Sequence, residues 1–283
     1  MVSHLPLHPR SGREAAAAKA AGAEPYAGGT DLMARRAAVL RAGQGPPLVF
    51  LDRVATFRGI TAVDGALRIG SLTTMAELCR HPATPGLLGA ACATVGSPAL
   101  RNAATLGGNI CTASPAGDSL PALYALDAEV ELCGVDGDRR LPIGQLITAP
   151  GQTTLRPDEL LAAVIVPAAP PNRFYYRKVS PRLANALAKV SLAVAATMRN
   201  QTMLEMRIAF GAVGPTVIRC NEIEQQCRNR SLADLVDSAR QLADLATATV
   251  KPINDLRSTA DYRRTVAGNL LEAGLHSLCA PAS

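Results

Sequence analysis

The sequence predicts an α+β fold in two parts, and three observations carry that prediction. Along the 283 residues, stretches with helical spacing of apolar side chains alternate with short strand-like runs. Asp64-Gly65 between two apolar runs marks an antiparallel hairpin. Ala168-Ala169-Pro170-Pro171-Asn172 is proline-rich and aperiodic, and it divides an N-terminal part, 1–168, from a C-terminal part, 172–283. Within the first part the texture changes near Arg58, which sets lobes of about 1–57 and 58–168.

In chain order, the Ala-rich stretch 11–22 predicts a helix with Ser11 as its N-cap. Pro25 punctuates the chain before a glycine turn. Thr30 or Asp31 then caps a second helix over Leu32–Leu40, and the break at 43–47 precedes a short buried strand, 48–51. This makes a small β-α-β-like unit. A hairpin follows over 60–69, then a helix from Thr73 or Thr74 through Leu78, and another over 85–95. Residues 120–126 predict a helix, and 128–132 and 160–166 predict strands. Beyond the proline break, strands are expected over 174–179, 189–198 and 206–213, then helices over 232–249 and 260–278.

Composition narrows the function classes. Hydrophobic residues are 48% and charged residues 18%, enough apolar material for a sizeable core. Aromatics are 3% with no Trp, which argues against base-stacking platforms for nucleic acid. The formal charge of +6 is spread over scattered Arg rather than a dense block, so solvated faces and subunit contacts account for it. Seven dispersed Cys form no CxxC, lack the spacing of zinc or iron–sulfur ligands, and predict free thiols in a reducing cytoplasm. No signal-peptide core or membrane span is expected.

Chemistry concentrates in two glycine-rich signatures, Ala27-Gly28-Gly29-Thr30-Asp31-Leu32 and Thr105-Leu106-Gly107-Gly108-Asn109-Ile110, each expected where a strand gives way to a turn. Paired glycines let main-chain N–H groups approach an anion and tolerate positive φ. One such pair is ordinary turn chemistry; two, each ending in a polar side chain, point to a dinucleotide cradle.

The second signature extends from Arg101-Asn102 to Gly117-Asp118. With the first, it resembles the flavin-binding subunit of the molybdenum hydroxylases, the xanthine dehydrogenase family. Phe174-Tyr175-Tyr176-Arg177-Lys178-Val179-Ser180-Pro181-Arg182, the run 207–219 and the run 255–264 also fit that family, so the resemblance spans nearly the whole chain. It implies a two-lobed PCMH-type FAD-binding module followed by a smaller antiparallel-sheet-plus-helices domain similar to the CO dehydrogenase flavoprotein C-terminal domain. The runs 207–219 and 255–264 are expected to be scaffold and interface.

For FAD, the expected pyrophosphate donors are the main-chain N–H groups of Gly28, Gly29 and Gly108 and the hydroxyls of Thr30, Thr105 and Thr112. Asn109 both donates and accepts. Ala27 and Leu32 complete the first signature. Asp118 has two readings, an acceptor for a ribityl or ribose hydroxyl or an N-cap for the following helix. Asp31 carries the same ambiguity, and the resemblance assigns Asp118 to the cofactor. It also places Lys178 near the flavin, where a positive charge stabilises the electron-rich reduced ring, and Leu161 as an apolar contact of that ring. By itself Lys178 reads better as a surface residue of an edge strand. The sequence departs from the family at Asn185-Ala186, where acidic residues are usual. Position 30 is Thr, not the His or Cys of covalent flavin attachment, so non-covalent FAD is expected.

The resemblance implies an electron-transfer subunit. It would take electrons from [2Fe-2S] clusters on a ferredoxin-like partner and pass them to NAD+ or another acceptor, with molybdopterin on a large partner subunit. Xanthine or hypoxanthine is the expected substrate of the complex. The alternative is a free-standing FAD-dependent oxidoreductase of the same flavin-binding fold, against which the short chain and Thr30 count.

Overall fold

The computed structural model describes residues 6–41, 45–167 and 171–279. Their contacts group into two units, one of 1–83, 97–113 and 128–168, the other of 84–96, 114–127 and 169–283. Residues 42–44 and 168–170, which overlap the starts of the two expected breaks, lie outside the described residues.

In the first unit, helix α1 (Gly12–Ala20) starts at Ser11, whose hydroxyl accepts the N–H of Glu14. Strands β1 (Glu24–Tyr26) and β2 (Leu48–Phe50) pair in parallel, with helix α2 (Thr30–Arg41) between them, the expected β-α-β arrangement. Strands β3 (Ile60–Val63) and β4 (Ala66–Gly70) form the hairpin, and Asp64 and Gly65 take φ of 48° and 73°, as a two-residue turn requires.

Helix α3 (Met75–Arg80) opens with a capping box. The Thr74 hydroxyl accepts the Glu77 N–H at 3.1 Å, and the Glu77 carboxylate accepts the Thr74 N–H at 2.7 Å. Thr74→Ala is expected to cost about 1 kcal/mol, seen as a drop of a few degrees in a thermal melt. An unchanged melt would show that the box adds nothing to stability.

Helices α4 (Gly86–Ala93), α5 (Pro98–Ala103), α6 (Leu106–Cys111) and α7 (Ser119–Ala125) follow. Here the structure corrects the expected strand-to-turn setting of the second glycine signature, which instead lies between two helices and opens α6. Two hydroxyl caps decide this: Ser97 accepts the Leu100 N–H and Thr105 accepts the Gly108 N–H. Capping outweighs the low helix propensity of the glycine pair.

Strands β5 (Glu129–Cys133) and β6 (Asp138–Pro142), helix α8 (Ile143–Leu146), the small pair β7 (Ile147–Ala149) and β8 (Gln152–Thr153), and strand β9 (Leu160–Pro167) complete the first unit. Its main sheet is antiparallel, in the order β3-β4-β9-β5-β6. Central β9 is buried from Leu160 through Val166, which explains its unbroken apolar sequence. Ala15, Leu51, Val54 and Phe57 share one core with Leu72, Leu160 and Ala162, so residues from both expected lobes pack together.

In the second unit, β10 (Arg173–Val179), β11 (Val190–Arg199), β12 (Thr202–Gly211) and β13 (Ile218–Arg219) form an antiparallel sheet in that order, and β14 (Arg230–Ser231) also pairs with β12. Helices α9 (Asn221–Cys227), α10 (Leu232–Asp237), α11 (Ala239–Thr249) and α12 (Ala260–Cys279) supply the other half of its core. Val190, Leu192 and Val194 pack with Leu242, Leu271 and Leu275. The alternate residues of β11 are buried as well: a Cβ added at Gly211 would touch both Ser191 and Pro121 of α7. The segments carrying α4 and α7 thus pack with the C-terminal residues, although the proline break assigns them to the N-terminal part. The helix expected over 232–249 is two, divided at Ser238, whose hydroxyl donates to the Asp234 carbonyl.

Candidate functional site

The first signature leaves β1 at Tyr26 and enters α2 at Thr30, with Gly29 at φ +69°. A Cβ at Gly29 would overlap the Tyr26 hydroxyl, so the tyrosine lies against the turn. Tyr26 packs on its strand partner Phe50 at 4.6 Å between ring centroids, and Phe50 stacks on His8 at 5.0 Å. The sequence reading missed this aromatic support. Its signal was the aromatic residue ending each flanking strand. The N–H groups of Thr30, Asp31 and Leu32 meet no acceptor among the described residues. They therefore present free donors at the positive end of a 12-residue helix.

The second signature meets the first. A Cβ at Gly28 would overlap the carbonyl oxygen of Ala103 and sit 2.7 Å from its carbon, so only glycine permits this backbone approach. From the end of α6, the Thr112 hydroxyl donates to Asp31 at 3.3 Å, or to the Gly108 carbonyl at 2.9 Å. Asp31 also pairs with Arg35, one helical turn on. Its carboxylate joins the two signatures instead of capping α2 with its own side chain. Leu161 on β9 is buried, and its side chain lies 3.1 Å from where a Cβ of Gly107 would stand. It packs beneath α6.

The donor set differs from expectation at α6. Gly107 N–H donates to Ser71, Leu106 N–H to Thr73, Asn109 N–H to the Thr105 carbonyl and Gly108 N–H to the Thr105 hydroxyl. The first turn of this short helix is satisfied by the carbonyls of Ser71 and Thr73 and by its Thr105 cap. The Gly108 N–H is therefore engaged, and the free donors are those of the first signature. Thr105 is buried, Gly108 exposed, and Ala27, Asn109 and Thr112 half-buried.

Asp118 and Lys178 come together in the second unit. The Lys178 ammonium donates to Asp118 at 2.7 Å and to the Thr94 carbonyl at 3.0 Å, with both side chains almost wholly buried. Tyr176, two residues before Lys178 on β10, donates to the Asp118 carbonyl at 3.1 Å. Of the two readings of Asp118, the N-cap does not describe this arrangement. Its side chain makes no cap bond with α7, and Lys178 is no surface residue. One carboxylate oxygen, Oδ1, is buried with no partner among the described residues. Burial pushes the Asp118 carboxyl up to about 6 against the opposing pull of Lys178. Strand alternation placing Tyr176 and Lys178 on one face was readable in the sequence; their partners Thr94 and Asp118 were not.

The chemistry of these groups fits the expected cofactor. Free N–H groups at a helix start suit phosphate oxygens, and an orphaned carboxylate oxygen suits a sugar or ribityl hydroxyl.

Residues 6–169 match the FAD binding domain in molybdopterin dehydrogenase, and residues 175–278 match the CO dehydrogenase flavoprotein C-terminal domain. The chain is 34% identical over 222 residues to a putative xanthine dehydrogenase FAD-binding subunit of Escherichia coli (strain K12), covering 76% of this chain and 75% of that one. It is 29% identical over 244 residues to the carbon monoxide dehydrogenase medium chain of Hydrogenophaga pseudoflava, covering 84% and 83%. Among solved structures, the carbon monoxide dehydrogenase from Hydrogenophaga pseudoflava lacking the Mo-pyranopterin moiety superposes with a TM-score of 0.88 at 28% identity, covering 96% of each chain. The two domain matches in sequence, over a fold that superposes along nearly its whole length, place the chain in the family of FAD-binding subunits of the molybdenum hydroxylases.

Proposed function

We propose that the chain is the electron-transfer subunit of a molybdopterin-dependent dehydrogenase, taking electrons from [2Fe-2S] clusters on a partner and passing them to NAD+ or another acceptor. One observation carries this reading: the two signatures meet at Gly28 and Ala103 and at Asp31 and Thr112, beside the free N–H groups of α2. Bound FAD supplies a carrier that accepts single electrons and gives them up as a pair. Gly28, Gly29, Thr30 and the N–H groups through Leu32 hold it, with Ala27 shaping the turn. Thr105, Gly108, Asn109 and Thr112 border the cradle from α6, Asp31 fixes the spacing, and Leu161 supports the apolar side. Asp118 and Lys178 keep the roles that the family resemblance gives them. Attachment is non-covalent, because Thr30 offers no flavin-linking nucleophile.

Substrate oxidation belongs to the large partner. The 34% identity to a xanthine dehydrogenase subunit favours xanthine or hypoxanthine. No cysteine is joined in a disulfide among the described residues, and none of their helices is long and apolar enough to cross a membrane; the proposed location is the cytoplasm. The test is reconstitution. The isolated chain is expected to show flavin absorbance and to turn over no purine, while the chain co-expressed with its iron–sulfur and molybdopterin partners reduces a dye when given xanthine. Purine turnover by the lone chain, or a chain without flavin, overturns the reading.

A further inference from the structure

Strand pairing sets two rings side by side below the first glycine turn. Tyr26, the last residue of β1, is the parallel partner of Phe50, the last residue of β2. Paired residues point to the same face of a sheet, and the two ring centroids are 4.6 Å apart, tilted by 35°. His8 stacks on Phe50 at 5.0 Å, and its Nδ1 lies 3.3 Å from the Asp52 carboxylate. The main chain is pinned as well, because the Tyr26 carbonyl accepts the Leu51 N–H at 3.0 Å.

A phenol placed in this way packs through its apolar body and presents a polar tip. The tip reaches Gly29, where an added Cβ would overlap the Tyr26 hydroxyl and the end of its ring. Gly29 opens α2, its carbonyl accepting the Met33 N–H at 2.8 Å. The hydroxyl therefore lies against the residue that precedes the free N–H groups of Thr30, Asp31 and Leu32. Tyr26 is half-buried, and its hydroxyl meets no partner among the described residues.

Unpaired donors at the positive end of a helix select an anion with several oxygens. The nearby carboxylates do not oppose one, since Asp31 is paired with Arg35 and Glu24 with Arg36. Residues 26–32 contain no Lys or Arg, so a neutral O–H adds a donor where no side-chain cation does. We propose that the Tyr26 hydroxyl is a further donor of the FAD cradle, giving its hydrogen bond to an oxygen of the pyrophosphate. This rests on the cradle proposed above. The contacts with Phe50 and His8 hold the ring before the cofactor arrives, so little side-chain freedom is lost on binding.

Tyr26→Phe tests this, because it keeps the ring and removes only the hydroxyl. The full chain is freed of flavin and titrated with FAD, with flavin fluorescence as the signal. Loss of a hydrogen bond to a charged oxygen is expected to raise the Kd about tenfold or more. The phosphorus NMR resonances of the bound FAD shift, while the flavin-free variant melts at the wild-type temperature because no bond within the protein is lost. An unchanged Kd assigns the tyrosine to packing alone; it overturns the inference and leaves the function reading intact. A raised Kd with unmoved phosphorus resonances puts the bond on another part of the cofactor and overturns it too. So does a lower melting temperature of flavin-free Tyr26→Phe, which reveals a partner inside the protein. A wild-type chain that takes up no FAD overturns both readings.

Discussion

Gly28→Ala is expected to abolish FAD retention and to lower the melting temperature, the largest single-residue effect in the first unit. The added methyl would overlap the Ala103 carbonyl oxygen, lie 2.7 Å from its carbon and reach 3.3 Å from the Ala104 Cα. All three are backbone atoms, which cannot turn aside as a flexible side chain can. Overpacking of this kind costs about 1–3 kcal/mol or more, and relief by moving the chain apart would separate the two signatures. Gly108→Ala is the instructive contrast. Its Cβ would meet only the Thr105 hydroxyl, at 2.9 Å, so that variant folds and loses at most the cap, about 1 kcal/mol. Flavin absorbance of the purified variants and their thermal melts decide the matter. Wild-type flavin occupancy in Gly28→Ala would show that cofactor binding does not depend on the contact between the signatures.

Asp118→Ala is expected to destabilise the second unit by about 3–5 kcal/mol, because it strands a buried ammonium with only the Thr94 carbonyl for company. Lys178→Met should cost less. The Asp118 carboxyl is already held at about 6 by burial, and without Lys178 it takes up a proton and becomes neutral. Combining the two substitutions removes the stranded charge, so the double variant is expected to be more stable than Asp118→Ala alone, a non-additivity that a double-mutant cycle measures. Additive losses would mean that the pair contributes no coupling.

The same pair changes what is expected of the flavin potential. Lys178 belongs to a neutral pair, not to an isolated cation, and Lys178→Met with protonated Asp118 is again neutral. Its midpoint potential should therefore move less than that of Asp118→Asn, which leaves the ammonium uncompensated and raises the potential. Spectroelectrochemical titration separates these outcomes; a large fall in Lys178→Met would mean that the lysine acts as a lone charge. A pH dependence of stability follows from the raised carboxyl. Between the ordinary carboxylate range and about 6 the folded chain holds a proton that the unfolded chain has released, so this group favours folding at acid pH. Its contribution declines as pH rises toward 6, and it disappears in Asp118→Ala.

Local chemistry was legible. The Ser11 cap, the turn at Asp64-Gly65 and the helix start at Thr73 or Thr74 each depend on residues within one turn of each other, and each is present, the last with Thr74 as its cap. The unbroken apolar run of β9 likewise announced a buried strand. Misreadings arose where short-range signals competed. The Gly107-Gly108 pair reads as a turn until Ser97 and Thr105 are credited as N-caps of the helix before it and of the helix that contains it. Helix α9 carries too few residues for its periodicity to stand out, and Ser238 divides a run that is otherwise helical.

The sequence by itself determined the family, the two glycine signatures and most of the local elements, because caps, turns and periodicity are set by neighbours along the chain. Only the tertiary structure decided that Gly28 rests on Ala103, that Asp31 reaches Thr112, and that Asp118 is held by Lys178. Those partners are remote in sequence, and each residue alone is compatible with several roles. Which role it takes depends on the backbone that packing brings within hydrogen-bond range, and on the burial that then makes an unpaired charge costly.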